Sequence, residues 1–274
     1  MEKDLKEKNK SAHKLKGLPP IYYLNLDEHS ERRKYMEDQF EYWEIKNYTR
    51  IPAYDGRDGR DLGDILKGRY PDGMSSGEVG CTTSHLKAMK HFLENSDAPC
   101  LMMMEDDCDI STVLYWPFVW KDFYSKIPYD YDVIQLAVIN LQSIHMQLHR
   151  RFVNDFSTAC YLITRRHCQK LIDLHVRGDK YKIDNGVKPR AVADDLIYNS
   201  GNTFAIPLFL YKIELGSSIH DDHIDSFHKG SYDGLWSFWK QQAVDQEWDK
   251  LFEYDPYFNR LPPKEHIKEE ESSE

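Results

Sequence analysis

The sequence predicts an α/β protein built on a largely parallel sheet, and three observations carry that expectation. Short apolar runs alternate with segments of helical period along most of the chain, the pattern of parallel strands joined by helices. One run, Leu101-Met102-Met103-Met104, shows no polar alternation, as expected of a strand covered on both faces. It ends in Glu105-Asp106-Asp107, where the carboxyl ends of open α/β sheets bind their ligands.

Taken in order, Ile21 to Leu26 reads as the first strand. A helix opens at Ser30, with Met36, Phe40 and Trp43 recurring along it. Ile51 to Tyr54 is a short apolar segment broken by Asp55-Gly56, and 57–76 is a Gly-, Asp- and Arg-rich loop or flap. After Gly77-Glu78-Val79-Gly80-Cys81 comes a helix expected over Thr82 to Asn95. Cys100–Met104, Val133–Val138 and Ala159–Ile163 are further strands. The last feeds a helix carrying Cys168, Leu171, Ile172, His175 and Val176. Trp236, Trp239, Trp248 and Phe252 anchor a C-terminal helical segment.

At 274 residues the chain suits one large domain, expected over 19–262 between flexible tails at 1–18 and 263–274. A net charge of −10 lacks the basic footprint of a nucleic-acid binder. The five cysteines form no CxxC pair and read as reduced thiols of a cytosol-type compartment. No stretch is long and apolar enough for a transmembrane segment, and the charged N-terminus is no secretory signal. The expected location is therefore cytoplasmic, including membrane faces.

Side chains two apart on a strand share a face, so Glu105 and Asp107 are expected to point one way and Asp106 the other. Such carboxylates suit a hard divalent cation. A solvated acidic turn is the plain alternative.

Ordered blocks along the chain resemble glycosyltransferase family 25, which includes lipopolysaccharide and collagen galactosyltransferases. They are Tyr23-Leu24-Asn25-Leu26-Asp27 with Glu31-Arg32-Arg33 and Met36; Ala53 with Asp55-Gly56; Ser76-Gly77-Glu78-Val79-Gly80-Cys81 with Ser84-His85-Leu86; and Met104-Glu105-Asp106-Asp107. Ala159–Ile163 and Ala193-Asp194-Asp195 are weaker blocks, and the C-terminal third matches poorly. The resemblance implies a GT-A fold, with a Rossmann-like, mostly parallel central sheet flanked by helices. It also implies a UDP-sugar donor and inverting transfer to a hydroxyl of a glycan acceptor, of the surface-glycan or lipopolysaccharide type.

Chemical roles follow from that expectation. Charge grows on the departing diphosphate, where Mn(II) or another divalent cation acts as a Lewis acid. Asp107 is the first choice as ligand, with Asp109 competing. His220, slightly ahead of His223, is a candidate to complete the metal site, since many GT-A enzymes bring a late histidine to the metal. Glu105 and Asp106 are candidates for ribose or sugar hydroxyls. Inversion needs a base on the acceptor side, for which Asp194 is first and Asp195 second. By the switch-point rule Asn25, Leu26 and Asp27 line the nucleobase pocket, with Ala53 and Asp55 closing it. One of Arg32 and Arg33 is a candidate to reach a phosphate or the base, and the other is expected at the surface. Gly77 permits close backbone approach. Ser84 and His85, near a helix start, favour anions, with a core histidine as the alternative reading of His85. Gln135 and Thr158 are candidates for the donor-sugar pocket. Two other classes fit the acidic triplet: a metal-dependent phosphohydrolase, and a non-catalytic nucleotide-sugar or glycan binder.

Overall fold

The computed structural model describes residues 9–57, 61–69, 72–140, 144–183, 190–215 and 228–254. The elements in chain order are β1 (Ile21–Asn25), α1 (Ser30–Tyr42), β2 (Tyr48–Pro52), α2 (Ser76–Asn95), β3 (Cys100–Glu105), β4 (Cys108–Asp109), α3 (Trp120–Tyr124) and β5 (Val133–Gln135). They continue with β6 (His149–Arg150), β7 (Cys160–Thr164), α4 (Arg165–His175), β8 (Val176–Arg177), β9 (Lys180–Tyr181), α5 (Ala193–Tyr198), β10 (Thr203–Ala205), β11 (Leu210–Tyr211), α6 (Lys229–Ser237) and α7 (Trp248–Leu251).

One seven-stranded sheet has the order β2-β1-β3-β7-β5-β10-β6. β2, β1 and β3 pair in parallel, as do β5 and β10. β7 lies between β3 and β5, antiparallel to both, and β6 closes the edge antiparallel to β10. Five strands thus share one direction and two oppose it, a mostly parallel α/β sheet flanked by helices. The Ala159–Ile163 run proves to be a reversed strand, because its own composition carries no signal of direction.

Both faces of β3 are covered. Met102 and Met104 join the core with Met36 and Phe40 of α1 and with Trp239 and Phe252 from the C-terminal segment. Leu101 and Met103 join the other core with Leu86, Met89 and Phe92 of α2 and Leu171 of α4. A strand sandwiched in this way has no polar face to show, which is why its sequence does not alternate.

Several strand ends shift by one residue from the sequence expectation, and two boundaries shift further. The strand at Val133 stops at Gln135 rather than Val138, because the Leu136 and Ala137 amides turn to the Cys160 carbonyl (2.9 and 3.1 Å). The helix expected from Thr82 starts six residues earlier, at Ser76. Ser75 and Glu78 form a reciprocal capping box (3.2 and 2.8 Å), which satisfies orphan amides and tolerates the glycines that follow. Within the expected tail at 1–18, Ala12–Leu15 forms a 3-10 turn whose Leu15 is buried. There Lys14 Nζ caps the carbonyls of Val113, Leu114 and Trp116.

Candidate functional site

In the order β2-β1-β3 the chain leaves β1 first to one side and then to the other, which creates a topological switch point. A cleft opens there over the carboxyl ends of the three strands. Leu24, Asn25, Leu26, His29 and Arg32 come from β1 and the start of α1, and Ala53 to Arg57 from the loop after β2. Gly77, Cys81 and Ser84 present one face of α2, and Glu105, Asp106 and Asp107 end β3.

The acidic triplet splits differently from a continued strand. β3 ends at Glu105 and a turn follows, so alternation stops and both aspartates face α1. Arg32 clamps them, with Nε and Nη2 on Asp106 Oδ1 (2.7 and 2.6 Å) and Nη2 on Asp107 Oδ2 (3.1 Å). Asn25 Nδ2 donates to Asp106 Oδ2 (2.7 Å), so both oxygens of Asp106 are engaged and it braces the cleft floor. Asp107 Oδ1, in contrast, is buried with no hydrogen-bond partner among the described residues. Burial pushes the Asp107 carboxyl up to about 7; Arg32 opposes the rise, and Glu105 and Asp106 add to it. A buried acceptor left unpaired is costly, and it faces a cleft, so Asp107 fits the role of cation ligand. The competing ligand Asp109 turns away, and its Oδ1 accepts from the Ser111 amide (2.8 Å). His220 and His223 lie outside the described residues.

Glu105 points to the α2 side. Its Oε1 accepts from Thr158 Oγ1 (2.5 Å) and meets His85 Nε2 at 3.2 Å. The other His85 nitrogen, Nδ1, meets the Tyr161 hydroxyl at 2.9 Å. Burial alone would raise the Glu105 pKa, but His85, Thr158 and Arg32 outweigh it and the net shift is downward. His85 is fully buried, so it is a core histidine by exposure, but one wired to the cleft wall. With α2 beginning at Ser76, Ser84 and His85 lie more than two turns inside the helix, beyond the reach of its free amides. Ser84 Oγ instead donates to the Gly80 carbonyl (2.6 Å) and accepts from the Tyr54 amide (2.8 Å). It thereby holds the loop after β2 against α2.

That contact explains two glycines. A Cβ on Gly80 would lie 2.7 Å from the Tyr54 carbonyl oxygen, and one on Gly56 would lie 1.8 Å from that of Ser76. Backbone meets backbone at this crossing, which leaves no room for a side chain.

Asp27 is exposed and salt-bridged to Arg50. Asn25 and Leu26 line the cleft in its place. Asp55 lines it too, bound to Arg57 (Oδ2 to Nη2, 2.8 Å). Arg57 also reaches Glu28 (2.8 Å) and His29 Nε2 (2.7 Å), tying the loops after β1 and β2 together. Arg57 and His29 carry no sequence signal beyond position after a strand end, and Cys81, part of the Ser76–Cys81 block, is given no role of its own by the sequence. Gln135 is fully buried and does not reach the cleft. Its amide donates to the carbonyls of Phe156 (2.8 Å) and Ser157 (3.0 Å), supporting the loop that carries Thr158.

Asp194 and Asp195 open α5. Asp195 is buried and bound to Arg190 Nε (3.3 Å) and Asn199 Nδ2 (3.2 Å). Asp194 Oδ1 accepts the Ser157 amide (2.6 Å). Burial raises its pKa, Arg151 opposes, and Glu105 adds to the rise; Asp194 is not among the described residues that line the cleft. Ser157 itself has φ +99°, a conformation costly for a non-glycine residue unless its surroundings enforce it. Asp194 on its amide and the Tyr198 hydroxyl on its carbonyl (2.8 Å) do so.

Strand order and cleft together give the chain an α/β sheet with a cleft at its switch point, the place where open sheets of this kind bind ligands. The model of glycosyltransferase family 25 (LPS biosynthesis protein) matches residues 18–185, more than half of the sequence and every residue of the cleft wall. The chain belongs to that family. No curated protein matches it. Among solved structures, that of A197 from STIV is 11% identical, covers 70% of this chain and 83% of its own, and has a TM-score of 0.33. A likeness at that level carries no argument. No helix among the described residues is long and apolar enough to cross a membrane.

Proposed function

We propose that the protein is a metal-dependent inverting glycosyltransferase that moves a sugar from a UDP-sugar to a hydroxyl of a glycan acceptor, of the surface-glycan or lipopolysaccharide type. Family membership supports glycosyl transfer. The buried Oδ1 of Asp107 at the switch-point cleft, without a hydrogen-bond partner among the described residues, carries the metal-dependent part of the reading. Asp107 would hold Mn(II) or another hard divalent cation, with His220 or His223 as further candidate ligands. When bound, that cation stabilises charge on the departing diphosphate. Arg32, braced by Asp106, adds fixed positive charge at the same place. Asn25, Leu26, Ala53 and Asp55 form the nucleoside wall.

On the acceptor side Asp194 takes the proton from the attacking hydroxyl. Of the two adjacent aspartates, Asp195 is occupied by a salt bridge to Arg190, and Asp194 has none among the described residues; its raised pKa improves it as a base near neutral pH. Glu105, held by Thr158 and His85, orients the donor sugar's hydroxyls. The expected setting is cytoplasmic, including membrane faces.

The deciding experiment is calorimetric titration of a panel of nucleotide-sugars with and without Mn(II). Binding of one UDP-sugar that strengthens with manganese supports the reading, and the anomer released on slow hydrolysis reports inversion or retention. Absence of binding by every UDP-sugar refutes the donor assignment. Release of inorganic phosphate from nucleotides without an acceptor would favour a phosphohydrolase. Binding with neither transfer nor hydrolysis would favour a non-catalytic role.

A further inference from the structure

Beside the acidic floor lies a second set of donors that the glycosyl-transfer reading does not use as ligands. Cys81 and His85 are four residues apart on α2 and therefore share a face. Glu105 meets them from the end of β3. One sulfur, one ring nitrogen and one carboxylate oxygen from these three residues all lie within 4.8 Å of one another. In a tetrahedral zinc site, bonds of about 2.0–2.3 Å hold ligand atoms roughly 3.3–3.8 Å apart. Small side-chain rotations close that difference.

We infer that Cys81, His85 and Glu105 form a binding site for a borderline-soft divalent cation of the zinc class, separate from the hard-cation position at Asp107. Three further features fit. The donor set is thiolate, imidazole and carboxylate, which suits zinc or cobalt and not manganese or magnesium, whose preferred donors are oxygens. The outer shell is already in place. The Tyr161 hydroxyl holds His85 Nδ1 and leaves Nε2 toward Glu105, and Thr158 fixes the carboxylate. Outer partners of this kind orient metal-binding histidines and carboxylates. Tyr161 can donate or accept, so the ring can present an unprotonated Nε2. Finally, Cys81 and Glu105 both line the cleft, which gives the ion a path in and leaves a coordination position open toward the cleft. An ion held there engages Glu105 and so competes with any ligand that needs this carboxylate.

Cobalt(II), added to full-length protein stripped with a chelator, reports the site directly, because a thiolate ligand gives a near-ultraviolet charge-transfer band and tetrahedral coordination gives visible bands. One equivalent producing both, displaced by Zn(II), is the expected result. Cys81→Ser abolishes the charge-transfer band, whereas Cys168→Ser, at a buried thiol of α4, keeps it. Tyr161→Phe weakens cobalt affinity by about tenfold or more. Asp107→Ala leaves the band intact, so this site and the manganese assignment fail independently. No thiolate band in wild-type protein, or a band that survives Cys81→Ser, overturns the inference. Near-ultraviolet circular dichroism confirms that each variant is folded.

Discussion

Asp107 is the residue whose protonation links cleft and stability. Its folded pKa of about 7 lies above its ordinary value of 3.8. Between those values the folded state binds more protons than the unfolded state, so this group's contribution to stability falls as pH rises from about 4 to 7 and is gone above that window. Asp107→Asn is therefore expected to flatten this decline, as checked by denaturant melts at pH 5 and pH 8. Cation binding must displace the same proton, so manganese-dependent UDP binding is expected to weaken as pH falls through 7 and to vanish in Asp107→Ala. Asp194 separates binding from turnover. In Asp194→Asn, transfer is expected to drop at least a hundredfold while UDP affinity stays within a few-fold. Normal turnover in that variant would remove Asp194 as the base.

At the scale of elements, the start of α2 sets the shape of the cleft. Its capping box at Ser75 and Glu78 is legible as Ser-x-x-Glu in the sequence, yet the two glycines that follow disguise the first turn as loop. Gly77 lines the cleft as a helical residue, and Gly80 is the contact point for the loop after β2. Gly80→Ala is expected to cost about 1–3 kcal/mol, because the Tyr54 carbonyl must move. Loss of the cap in Ser75→Ala should cost about 1 kcal/mol, roughly 2–4 °C in melting temperature for a chain of this size. Scanning calorimetry would resolve both, and Gly80→Ala should also weaken donor binding by displacing Asp55 and Arg57.

For the molecule as a whole, the sheet brings three strand ends to one cleft while the two cores lock its faces. A ligand that binds there and not to the unfolded chain raises the melting temperature by mass action. UDP with manganese is expected to do so more than either alone, in a thermal-shift titration. Chelation should return the melting point to that with UDP alone.

The sequence by itself determined the apolar strands, the helical faces, the position of the acidic triplet and the family, because all of these are written in local pattern and order. Leu101 to Met104 reads as a doubly covered strand from its unbroken apolar run, and Asp107 follows two residues after that strand ends. Asp109 is held by the Ser111 amide and Asp195 by Arg190, both close in the chain, but tertiary structure alone decided that Asp106, and not Asp107, is consumed at both oxygens, by Arg32 and Asn25. Partners 74 and 81 residues away in sequence leave no mark on local composition. The reversal of β7 and the meeting of Cys81, His85 and Glu105 are of the same kind. Strand direction and side-chain convergence are set by what packs across the sheet.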